Sequence, residues 1–155
     1  RLTPHFTLEE FTFSQTAARK GIDNTPHEGI LDNLCVLANG MEDVRNLLNA
    51  PIHVSSGYRC IELNDLLGSK RTSQHTQGLA CDFTSNAYGS PQIIFADIIT
   101  SDIPYEQVIL EFVKPNVPNS GWIHISFVED GGTPRKQALI INGEGAMIYH
   151  PSRKQ

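Results

Sequence analysis

The feature that most restricts the fold of this sequence is a run of apolar residues from Ile30 to Leu48. Ile30, Leu31, Leu34, Leu37, Ala38, Met41, Val44, Leu47 and Leu48 recur at the spacing of three and four that marks one side of an α-helix. A stripe of that length must be buried, so the chain needs a second layer for the helix to lie on. Thr25, Pro26 and Glu28 supply an N-cap, a first-turn proline and a capping-box partner at the start, and the pattern ends about Asn49. Cys35 falls inside the pattern, which predicts that it packs in the core.

The remaining elements are short. Thr7 and Glu10 have capping-box spacing for a helix through Phe11, and Ser14 caps a second one ending near Gly21. After Pro51, residues 52–55 read as a strand and Ile61 to Leu67 as a helix stopped by Gly68, with a polar loop over 68–74. Leu79 to Thr84 alternates, Leu79, Cys81 and Phe83 on one face and Ala80, Asp82 and Thr84 on the other. Ser90 and Pro91 open a helix through Ile99. Strands are expected at 107–112, 122–128, 137–141 and 146–149, the last after a turn at Gly143 and Gly145. Helices first and strands later favour an α+β fold, a small central and mostly antiparallel sheet with helices packed on it. No period repeats and no stretch is low in complexity, so residues 1–155 read as a single domain.

Charge and composition narrow the function. Twelve basic against 17 acidic residues give a formal charge of -5, the wrong sign for gripping polyphosphate, so nucleic acid is not an expected partner. No apolar run approaches the roughly 20 residues of a membrane span. The start at Arg1 has neither the apolar core nor the cleavage site of a secretory signal, and Arg1 is not an initiator residue. The three cysteines, Cys35, Cys60 and Cys81, are an odd number without close spacing, which predicts reduced thiols. A thiol hydrolase built on Cys81 is disfavoured because alternation points that side chain into the core.

The residues suited to chemistry are His75, just after the polar loop, Asp82 on a strand, and His124 on a later strand. Two imidazoles and one carboxylate are a familiar zinc set that leaves a fourth position open for catalysis. Gln77 and Gly78 let the chain turn sharply after His75 and bring Asp82 back beside it. In Trp122-Ile123-His124-Ile125-Ser126, alternation sends the isoleucines to the core and sets Trp122, His124 and Ser126 on the opposite face. His5, His27, His53 and His150 have no such context and read as structural or solvated.

The stretch Ser73-Gln74-His75-Thr76-Gln77-Gly78-Leu79-Ala80-Cys81-Asp82 resembles the S-x-H-x-x-G-x-A-x-D pattern of the M15 family of zinc D-alanyl-D-alanine carboxypeptidases and dipeptidases at every fixed position. Trp122-Ile123-His124 resembles the family's later W-x-H element, and Ser55-Ser56-Gly57-Tyr58-Arg59 its upstream S-G-Y-R segment. The likeness runs from Leu8-Glu9-Glu10-Phe11 and Ser14-Gln15-Thr16-Ala17, through Gly21-Ile22-Asp23-Asn24, almost to the end, and looks closest to the phage and prophage branch. It implies a hedgehog/DD-peptidase-like fold and hydrolysis of a peptide bond in peptidoglycan stem peptides. The implied setting is phage or prophage lysis, or a virion in the company of other tail proteins. The chain would be made in the bacterial cytoplasm and act at the cell wall or periplasm.

Carried over by position, His75, Asp82 and His124 would bind Zn2+, and Arg59 would hold a substrate carbonyl or the developing oxyanion. A structural salt bridge is the plainer role for Arg59. Ser73 would order the ligand loop or touch substrate, and Tyr58 and Trp122 would line the cleft or simply pack. Many relatives carry an acid about three positions before the last histidine, where this chain has Gly121. Glu111 is the substitute expected as general base, provided an antiparallel return brings it beside His124; Glu129 and Asp130 are the other acids nearby. A non-catalytic, zinc-stabilised binding domain is the alternative that the absent acid supports.

Overall fold

The computed structural model describes residues 1–149; His150 lies outside them. Its elements are α1 (Leu8–Thr12), α2 (Gln15–Lys20), α3 (Glu28–Leu48), β1 (His53–Ser56), α4 (Ile61–Leu66), β2 (Ala80–Thr84), α5 (Pro91–Ile99), β3 (Gln107–Glu111), β4 (Trp122–Ser126), β5 (Gln137–Asn142) and β6 (Gly145–Ile148). A 3-10 turn at Gln74–Gln77 precedes β2. The six strands form one sheet in the order β1-β2-β4-β3-β5-β6, antiparallel except for the β3–β5 pair. The α+β expectation holds.

Local signals explain most boundaries. Thr7 and Glu10 close a full capping box on α1, Ser14 accepts the Ala17 N–H at the start of α2, and Ser90 accepts that of Ile93 in α5. Helix α3 differs from expectation. It starts at Glu28 with His27 as an N-cap that makes no side-chain bond, while Thr25 belongs to a preceding turn in which Asp23 Oδ1 accepts its N–H at 2.9 Å. Cys35 is a second correction: it is exposed. Three residues after Asp32 and four before Asn39, it shares their solvent stripe, a step of about 100° from the buried Leu34. Leu47, expected in the stripe, is also exposed.

Alternation in the strands gives the sheet two unlike faces. Cys81 and Phe83, Ile123 and Ile125, Val108 and Leu110 join Leu34, Leu37 and Met41 of α3 and Ile94 and Ile98 of α5 in one core. Ala80, Asp82, Trp122, His124, Ile109 and Glu111 hold the alternate positions and face away from it. Among the described residues no helix is long and apolar enough to cross a membrane.

Candidate metal centre

Strands β2 and β4 pair with Asp82 opposite His124, so the two side chains stand side by side on the open face. His75 arrives from the 3-10 turn. Gly78, at φ +75, reverses the chain there, and its N–H returns to the carbonyls of Gln74 and His75. A Cβ on Gly78 would stand 2.9 Å from Ile30 Cγ2 and 3.3 Å from Leu34 Cγ, so the turn is pressed onto α3.

The three groups converge on one oxygen. Asp82 Oδ1 lies 3.3 Å from His75 Nε2 and 3.0 Å from His124 Nδ1, and one ligand atom from each residue falls within 4.8 Å of the others. A tetrahedral zinc with bonds of ~2.0–2.1 Å has ligand-to-ligand edges of about 3.3 Å, which these separations match. His75 Nδ1 donates to the Gly57 carbonyl at 2.7 Å; a carbonyl only accepts, so Nδ1 carries a proton and Nε2 faces Asp82, as a donor when the ring is charged and as a lone pair open to a metal when the ring is neutral. All three residues are buried. Burial opposes the Asp82 charge, but hydrogen bonds from His124 and His75 and their charge outweigh it and hold the carboxyl well below the usual range. The donor set and its spacing therefore fit a divalent metal.

Two further groups flank the triad. Arg59 Nη2 is 3.6 Å from the second Asp82 oxygen, and its Nε donates to Ser56 Oγ at 3.2 Å. The β1–β2 register slips between Val54 and Ser56, which sets Ser56 opposite Asp82 and within reach of Arg59. Antiparallel β3–β4 pairing places Glu111 opposite Trp122, with its Oε1 3.9 Å from His124 Nδ1. Burial and the Asp82 charge push the Glu111 carboxyl up to about 7, against the opposing pull of His124 and Arg59.

His75, Asp82, His124, Arg59, Glu111, Ser73 and Trp122 line a single cleft of about 820 Å³. Ser73 also caps the ligand turn, its Oγ accepting the His75 N–H at 3.3 Å. Trp122 leans against Phe112, ring centroids 5.3 Å apart. Tyr58 is not brought to the cleft: it is a core residue, because its N–H is drawn to the Phe11 carbonyl at 2.6 Å. Glu129 and Asp130 line a separate hollow beside Gly40 and Phe127. Cys81 is fully buried and its thiol is pushed well up by burial and then by Asp82, the reverse of an activated nucleophile.

Gly121 explains the missing acid. At φ +79, its Cβ position would lie 2.4 Å from the Glu111 carbonyl, so no side chain fits between the ends of β3 and β4. Sequence reasoning overlooked Ser56 and the Gly57 carbonyl, although both stand in the quoted S-S-G-Y-R segment. It also overlooked Gln107, at the far end of the cleft, whose only signal was sharing strand parity with Glu111.

Compared with known families, residues 4–126 match the one described as Peptidase M15. No curated protein matches the chain.

Proposed function

The chain belongs to the M15 peptidase family, matched over most of its length, and we propose on that footing that it is a zinc metallopeptidase cleaving a peptide bond in peptidoglycan stem peptides. The observation that carries the reading is the meeting of His75, Asp82 and His124 beside Glu111 in one cleft.

Zinc held by those three residues supplies Lewis acidity to a substrate carbonyl and to a water. Glu111, 3.9 Å from His124 in the same cleft, takes the proton of the attacking water and returns it to the leaving amine. Arg59 presents its planar donors to the oxygen that becomes negative, its charge kept in place by Asp82. Ser73 and Trp122 hold the peptide against this row. Both a D-Ala-D-Ala carboxypeptidase and an endopeptidase fall within this reading. The setting that the motif likeness supports is phage or prophage lysis or a virion.

Glu111→Gln tests the reading. The variant is expected to keep zinc at one per chain and to lose about 10²–10⁴ in the release of new amines from purified peptidoglycan. Unchanged release removes Glu111 from the mechanism, while zinc without any release from the unsubstituted chain leaves a binding domain instead. Mass spectrometry of the digest names the bond.

A further inference from the structure

We propose that Asn24 is a positioning residue for this site: one buried carboxamide fixes the backbone of residues 57–60, and through it the aim of His75 and the reach of Arg59. The inference rests on the reading of those two residues given above. The 57–60 segment belongs to neither helix nor strand, so its polar groups have no ladder to join and each must find a partner elsewhere.

Asn24 supplies partners on both sides of Arg59. Its Nδ2 donates to the Tyr58 carbonyl at 2.9 Å and to the Thr12 carbonyl at 2.9 Å, and its Oδ1 accepts the Cys60 N–H at 2.8 Å. A carboxamide offers donor and acceptor together as a peptide group does, so Asn24 stands in for a neighbouring strand. Between these anchors the Arg59 N–H donates to the His75 carbonyl at 3.0 Å, and the Gly57 carbonyl receives His75 Nδ1 at 2.7 Å. The segment and the ligand turn are therefore tied twice. A shift of 57–60 moves the acceptor that turns His75 Nε2 toward Asp82, and with it the Cα from which Arg59 extends. Asn24 itself is buried and outside the cleft lining, so it acts only through these neighbours.

The test uses the full chain carrying Asn24→Ala or the isosteric Asn24→Asp, each with and without Arg59→Ala. Asn24→Asp keeps the acceptor for Cys60 but sets a carboxylate against two carbonyl oxygens. Partition of zinc between the chain and a competing chelator reads His75 without requiring turnover. Both variants are expected to bind zinc about tenfold more weakly. At saturating zinc they should lower kcat more than KM, and cost little further turnover once Arg59 is alanine. Unchanged zinc affinity, or a turnover loss equally large with and without Arg59, overturns the proposal. If Asn24→Ala does not fold, Asn24→Asp carries both measurements. A parent chain that binds zinc but releases no amine sinks the peptidase reading, and the zinc partition then decides the role of Asn24.

Discussion

At Glu111 a carboxyl sits among groups that pull its titration in opposite directions. Burial and Asp82 prevail over His124 and Arg59, raising it to about 7. In the metal-free chain the folded state therefore holds more protons than the unfolded one between the ordinary glutamate value, about 4.3, and 7. Stability falls as pH rises through that window. Glu111→Gln should accordingly raise the thermal midpoint of the metal-free chain at pH 8 and leave it nearly unchanged at pH 4. The gain has an upper bound on the order of 3 kcal/mol, and equal shifts at both pH values would contradict it. Arg59→Lys keeps the charge but loses the planar fork, so kcat should fall about 10²-fold with KM moving less, read by steady-state kinetics on a soluble stem peptide. At this scale much was legible, because strand parity puts Asp82, His124 and Glu111 on one face and Cys81 on the other. Cys35 was not, since an apolar residue next to a stripe differs from one inside it by a single helical step.

Turns, more than regular elements, decide where these side chains meet. Gly78→Ala meets both an unfavourable φ and the side chains of Ile30 and Leu34, and should cost about 1–3 kcal/mol and lower zinc content. Thermal melts and metal analysis check it. Gly121→Glu would return an acid to its commoner family position, yet the Glu111 carbonyl occupies the space a Cβ needs. It is expected to destabilise the chain and reduce cleavage; a rise in activity would show that the β3–β4 turn can yield. The sequence signalled the glycine at 78 as a sharp reversal, and the structure adds that α3 lies against it. The start of α3 was misplaced because Thr25 and Pro26 are good cap residues, while Thr25 belongs to a preceding turn with Asp23.

In the molecule as a whole, the ligands come from two stretches, His75 with Asp82 and His124 42 residues further on, joined only when β2 and β4 pair. A metal that binds this arrangement and not the unfolded chain stabilises it by about 2.7 kcal/mol at a hundredfold excess over Kd. Chelation should therefore lower the thermal midpoint, and an unmoved midpoint would mean that the site is unfilled or that the unfolded chain binds the metal equally well. The α+β class was legible from the order of elements. Strand order and the parallel β3–β5 pair were not, because alternation fixes the face a residue takes and says nothing about its neighbour.

That strand order also sets a timetable. A nascent chain that has passed Glu111 holds β1, β2 and β3, but β3 has no bond to β2, because β4 must lie between them. Until residues 122–126 emerge, two sheet edges wait unpaired and His75 and Asp82 lack their third companion. The ribosome thus releases a chain whose site is assembled late and all at once, when the strand bearing His124 fills the gap.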